Sequence, residues 1–263
     1  MAVTLAYEAM GSGPPVVILH GLFGSGSNWR TVARALAGTH RVYLVDLRNH
    51  GASPWTDTMT YLSMADDVRG FVEREELRAP TVIGHSMGGK TAMALALLSP
   101  DLVGRLVVVD IAPVSYADRF SSYLDVMRSI DLLAVASRAE VLSRLTSGIP
   151  EQGVADFLML NLVARNERFD WRINLAGITS SVADLCDFPP QLYKRRFLGR
   201  AMLITGARSD YLKPADHRPF RALFPKLESH VIDRAGHWVH VDQPDAFLSV
   251  LRCSFAATPA EIL

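Results

Sequence analysis

The sequence predicts an α/β protein, a doubly wound and mostly parallel sheet interrupted by an inserted helical cap. Three observations lead there. Short β-branched runs alternate with longer segments of helical period. Several of these runs are apolar throughout, as strands are when both faces of a parallel sheet are covered. The alternation stops between about residues 115 and 196, where helical patterns follow one another without a convincing strand.

In chain order, residues 3–7, 16–19 and 41–45 read as strands, with a helix over 29–37 between the second and third. Asn28 stands where that helix needs an N-cap. Helical periodicity then covers 61–75 and 90–98, and strands fall at 81–83 and 106–109. The inserted stretch carries helical patterns at 122–132, 138–145, 151–163 and 174–185. Strands return at 202–205 and 230–232, with helices at 214–224 and 245–255. The expected organisation is a sheet domain made of 1–114 and 197–263, with 115–196 folded over the C-terminal edge of the sheet. Ligands of open α/β sheets bind on that edge.

Composition narrows the classes. The chain has 263 residues, 27 Lys+Arg and 27 Asp+Glu, and is 49% hydrophobic and 21% charged. That is a globular composition with enough chain for a large core. A balanced charge gives no overall pull toward nucleic acid or an anionic membrane. No apolar run reaches 18 residues, and residues 1–13 lack the cationic start of a signal peptide. The two cysteines, Cys186 and Cys253, have no metal or redox spacing. A reduced, cytoplasmic protein, monomeric or a small homo-oligomer, is the expectation, with neither nucleic acid nor membrane as partner.

Gly84-His85-Ser86-Met87-Gly88-Gly89-Lys90-Thr91 satisfies two patterns at once. It contains G-x-S-x-G, the strand–turn–helix elbow that exposes a nucleophilic serine. It also fits G-x-x-x-x-G-K-[ST], a phosphate-binding loop, with Asp110 at the end of an apolar strand as a magnesium ligand. The remaining chain decides for the elbow. His20-Gly21-Leu22-Phe23-Gly24 follows an early strand, where a second oxyanion donor is needed, and Gly236-His237-Trp238 follows the last strand, where a base would arrive. A phosphate loop needs neither.

On this reading Ser86 is the nucleophile and His237 the general base. The amides of Leu22 and Met87 are the oxyanion donors. The acid stays open between Asp110 and Asp210, since each follows a strand on one side of the insertion. His20, Phe23, Tyr123, Arg172 and Trp238 are candidates to meet substrate. For His20 bracing the loop is the stronger alternative, and Arg172 equally suits fastening cap to sheet. Phe120, Met127, Phe157, Met159 and Leu160 would add an apolar roof. His85 and His240 are neighbours rather than participants. Asp46, Arg48, His50 and Ser53 read as a turn whose side chains hold nearby backbone.

Over nearly its whole length the sequence resembles the α/β-hydrolase superfamily. More narrowly it resembles small bacterial esterases related to the abhydrolase-11 proteins. The matching segments are His20–Ser25, Asp46–Ser53, Gly84–Lys90, Val109-Asp110-Ile111-Ala112-Pro113, Trp171-Arg172-Ile173-Asn174-Leu175 and Gly236–His240. The resemblance implies the α/β-hydrolase fold and hydrolysis of a small-molecule carboxylic ester or thioester of short to medium chain. It implies no metal or organic cofactor, and it favours Asp110 over Asp210 as the acid. A serine at position 86 argues against dehalogenase and epoxide-hydrolase chemistry. The alternatives are a lyase or C–C hydrolase, which arginines 119, 165, 168 and 172 would serve if they converged, and a ligand receptor on the same fold.

Overall fold

A computed structural model describes residues 1–166 and 168–256; positions 257–263 of the expected sheet domain lie outside the described residues. The strands are β1 (Tyr7–Met10), β2 (Pro15–Leu19), β3 (Arg41–Val45), β4 (Thr81–His85), β5 (Arg105–Val109), β6 (Leu162–Arg165), β7 (Arg168–Trp171), β8 (Arg200–Gly206) and β9 (Leu227–Ile232). Seven of them form one sheet in the order β1-β3-β2-β4-β5-β8-β9. Only β1 runs antiparallel to its neighbour; every other pairing is parallel.

The helices are α1 (Arg30–Leu36), α2 (Tyr61–Arg74), α3 (Met87–Leu98), α4 (Ser121–Ser129), α5 (Arg138–Gly148), α6 (Gln152–Met159), α7 (Leu175–Ser180), α8 (Val182–Cys186), α9 (His217–Leu223), α10 (Val239–Asp242) and α11 (Pro244–Ala256). Strand side chains alternate between two cores, as a period of two requires. Leu106 and Val108 join the core that α2, α3 and the inserted segment complete. Val107 and Val109 join the one that α1, α10 and α11 complete. Both faces are covered over the central strands, which is why β2 and β5 are almost wholly apolar, whereas the edge strands β1 and β9 carry charged and exposed residues. Each such side chain, fully buried, contributes about 1.5–3 kcal/mol.

Four elements differ from the sequence expectation. The first strand begins at Tyr7, not at residue 3. Before it, side chains hold the chain instead of a ladder: Val3 N–H donates to Asp67 (2.7 Å) and Ala6 N–H to Ser53 (2.8 Å). Asn28 does not cap α1; its side-chain oxygen accepts from Ser25 N–H within a preceding 3₁₀ turn. The helix expected over 151–163 ends at Met159, and the inserted segment contains a strand pair after all, β6 with β7. The helix expected over 174–185 breaks at Ser181, whose hydroxyl donates back to Gly177 O at 2.8 Å.

Candidate active site

Ser86 sits between β4 and α3 with φ 52° and ψ −118°, a conformation that costs a non-glycine residue energy and needs its surroundings to enforce it. Its N–H donates to Val109 O (3.0 Å) and its carbonyl accepts from Lys90 N–H (3.0 Å). The flanking glycines permit the turn. A Cβ on Gly84 would lie 2.1 Å from Gly88 O, and one on Gly88 would lie 2.4 Å from Leu19 O. Ser86 therefore stands at the N-terminus of a twelve-residue helix, which favours negative charge there.

Asp110 follows β5, also at positive φ (52°), and is completely buried. One carboxylate oxygen accepts from Gly206 N–H (3.0 Å); the other meets His237 Nδ1 at 2.7 Å and accepts from the Ser209 hydroxyl. With a carboxylate on one side, Nδ1 carries the proton and Nε2 remains for the cavity. The imidazole lies flat against Tyr211, ring centroids 3.8 Å apart and planes at 15°. His85 Nε2–H donates to the His237 carbonyl at 2.9 Å, so its ring braces the loop that carries His237. Asp210 is placed differently. It pairs with Arg119 at 2.7 Å, with its side chain 64% exposed. The guanidinium holds its carboxyl below the usual carboxylate range.

The loop after β2 brings Gly21, Leu22 and Phe23 over Ser86. Leu22 and Met87 line cavity wall beside the serine. His20, a candidate for substrate contact, is instead 1% exposed, with Nδ1 against Gly21 O (2.8 Å) and Nε2 accepting from Leu47 N–H (3.0 Å). Burial pulls its pKa to about 4, so it braces the loop as a neutral ring. Phe23 is at φ 63°; its N–H donates to His50 Nε2 (3.2 Å) and its carbonyl accepts from Asn161 Nδ2 (2.8 Å). Arg172, which suits substrate contact and fastening equally in the sequence, fastens the inserted segment: Nη2 donates to Ser25 Oγ (3.3 Å) and Leu160 O (3.5 Å).

The turn at 46–53 completes the scaffold. Asp46 accepts from Gly26 and Ala52 N–H, both at 2.8 Å. Arg48 forks onto both oxygens of buried Asp67 at 2.6 and 2.8 Å, a charged pair that is costly to bury and far costlier to break.

Ser86 and His237 face one cavity of about 290 Å³ whose walls include Phe23, Phe120, Tyr123, Phe157 and Trp238. Phe157 and Trp238 meet at 5.4 Å. Of the expected roof, Met127 and Met159 belong to the core and Leu160 points outward, 52% exposed. The arginines do not converge: Arg119 pairs with Asp210, Arg165 reaches toward Asp170 at 3.9 Å, and Arg168 is exposed. Sequence reasoning missed Ser209, Tyr211 and Asn161. The available signal was the hydroxyl and ring flanking Asp210, in a segment weighed only for its carboxylate. Among the described residues no group of three His, Cys, Asp or Glu is placed to hold a metal ion. No described helix is long and apolar enough to cross a membrane.

Comparison with known proteins gives the family and its relatives. A family model described as the alpha/beta hydrolase fold matches residues 14–244. The chain is 39% identical over 257 residues to the sn-1-specific diacylglycerol lipase ABHD11 of Xenopus tropicalis, covering 95% of this chain and 80% of that one. It is 35% identical over 243 residues to Esterase YbfF of Escherichia coli, covering 90% of this chain and 91% of that one. A solved marine microorganism esterase superposes with a TM-score of 0.90 at 33% identity, covering 95% of this chain and 99% of that one.

Proposed function

The chain belongs to the α/β-hydrolase family, and on that premise we propose that it is a serine esterase of the cytoplasm. Its substrate would be a small-molecule carboxylic ester or thioester of short to medium acyl chain. Similarity to an esterase and a lipase supports ester hydrolysis. The observation that carries the triad assignment is the 2.7 Å contact between buried Asp110 and His237, with Ser86 on the same cavity wall as His237.

In the proposed cycle Ser86 Oγ attacks the acyl carbon as His237 Nε2 takes its proton. The carbonyl oxygen becomes an oxyanion facing the Leu22 and Met87 amides. Asp110 keeps the Nδ1 proton in place and stabilises the imidazolium without taking the proton itself. Collapse breaks the ester bond, and His237 hands its proton to the departing alcohol. Water then repeats the sequence on the acyl-Ser86 ester and releases the acid. The segment 115–196 acts as the cap, supplying Phe120, Tyr123 and Phe157 above the serine. Each oxyanion donor is worth about 2.7–4 kcal/mol of barrier in comparable sites.

Ser86→Ala tests the reading. With a p-nitrophenyl ester, kcat/KM should fall by about 10⁴-fold or more, and the burst of p-nitrophenol should vanish. Undiminished turnover would sink the mechanism.

A further inference from the structure

Two cavities meet at Ser86, and their walls differ. Leu22, Ser86, Arg119, Phe120 and Tyr211 are common to both. Only the larger includes His237 and Trp238. Only the smaller, a slot of about 20 Å³, includes Met87 and Lys90. In acyl transfer the departing group takes its proton from the base, so it lies on the base's side, and the acyl tail points away from it. The alcohol half of an ester thus belongs in the 290 Å³ aromatic cavity and the acyl half in the slot. The slot is far the tighter of the two, about 20 Å³ against 290 Å³, and suits the shorter half of the ester.

Lys90 lines that slot. It is four residues beyond Ser86, on the same face of α3. Its side chain is buried, 1% exposed. Nζ donates to Asp187 O (2.7 Å) and Cys186 O (3.2 Å) and lies 4.8 and 5.3 Å from the ring centroids of Tyr116 and Tyr61. The Asp187 carboxylate turns away, to the Ser115 hydroxyl and Phe188 N–H. The ammonium is thus solvated by neutral groups, and burial pulls its pKa down to about 7. A longer hydrocarbon tail would have to displace Nζ from two carbonyls that link α3 to the inserted segment, leaving them buried without a donor.

We propose that Lys90 is the specificity-determining residue on the acyl side, a stopper that restricts the enzyme to short acyl groups on bulky, apolar alcohols. The proposal rests on the serine-esterase reading and narrows it.

Two ester series test it on the full-length protein. Among p-nitrophenyl esters, kcat/KM should peak at acetyl or propionyl and drop at least tenfold by octanoyl. Among acetates of alkyl alcohols, 2-phenylethyl acetate should exceed ethyl acetate at least tenfold. Lys90→Ala should raise the hexanoyl-to-acetyl ratio at least tenfold. Lys90→Met keeps the length of the side chain while removing its donors, so it should give a smaller shift, about threefold. It decides the matter if the alanine variant fails to fold. A wild-type preference for octanoyl, equal rates on the two acetates, or an unchanged acyl profile in folded variants would overturn the proposal. Labelling of Ser86 by a fluorophosphonate separates the two levels. Labelled Ser86 with a flat acyl profile removes only the role of Lys90. Unlabelled Ser86 with no ester turnover removes the esterase reading and this proposal with it.

Discussion

Asp110 and Asp210 follow neighbouring parallel strands on the same edge of one sheet, yet their carboxylates live in different media. Asp110 is fully buried, with three donors converging on it: Gly206 N–H, Ser209 Oγ and His237 Nδ1. Asp210 is 64% exposed and tied to a single guanidinium that is itself 53% exposed. A charge-assisted hydrogen bond in a dry site is strong and directional, whereas an exposed ion pair contributes about 0–1 kcal/mol. Position on the fold is therefore a poor guide to chemistry. What equips a carboxylate to orient an imidazole is the set of donors around it and the absence of water.

Asp110→Asn should produce the largest change at these two strand ends. An amide beside Nδ1 favours the tautomer that places the proton on the wrong nitrogen, and the loss in kcat is expected to be about 10⁴-fold. Asparagine is the right replacement because it tolerates the left-handed backbone that Asp110 adopts at φ 52°. The variant should keep its fold, as circular dichroism would check. A loss under tenfold would erase the contrast drawn between the two loops.

How much of this was legible beforehand follows from the same contrast. Ser86 stands out because it ends an apolar strand in a motif with a fixed spacing, and His237 because Gly236-His237-Trp238 follows the last strand. The two aspartates were equally visible as strand-end carboxylates. Their environments were not, since burial and hydrogen-bond partners come from residues about a hundred positions away, such as Gly206 and Ser209 for Asp110. Neighbouring residues carried a partial signal: Asp110 lies between Val109 and Ile111, whereas Asp210 has Arg208 and Lys213 nearby. The β6–β7 pair escaped because each strand is four residues long and mixes apolar with charged side chains. Such short runs carry little periodicity. His20 and Arg172 each carried two readings for a related reason. A polar residue near a site can serve the substrate or the scaffold, and only its partners decide between them.

Ser209→Ala sharpens the comparison at intermediate strength. It deletes one of the three donors to Asp110 but leaves Gly206 and His237 in place. The loss of one buried hydrogen bond to a charged group is about 1.5–3 kcal/mol. Part of it falls on positioning of the imidazole, so kcat should drop about tenfold with KM nearly unchanged. A change in KM alone would show that the hydroxyl touches substrate instead of holding the carboxylate.

Asp210→Asn should have the smallest effect, and its pH dependence identifies why. Arg119 holds the Asp210 carboxyl below its ordinary range. A depressed folded-state pKa adds stability that is present above the unfolded value, about 3.9, and is lost as the pH falls through the folded one. The pair is exposed, so solvent and salt screen most of it. At pH 7 the variant should melt within about 2 °C of the parent. That difference should shrink further in high salt and disappear in acid below the folded-state value, while kcat/KM stays within about threefold. Loss of activity approaching that of Asp110→Asn would mean that Asp210 takes over the imidazole during turnover. The exposed carboxylate would then be the working one, and Asp110 a structural anchor for the loops after β8 and β9.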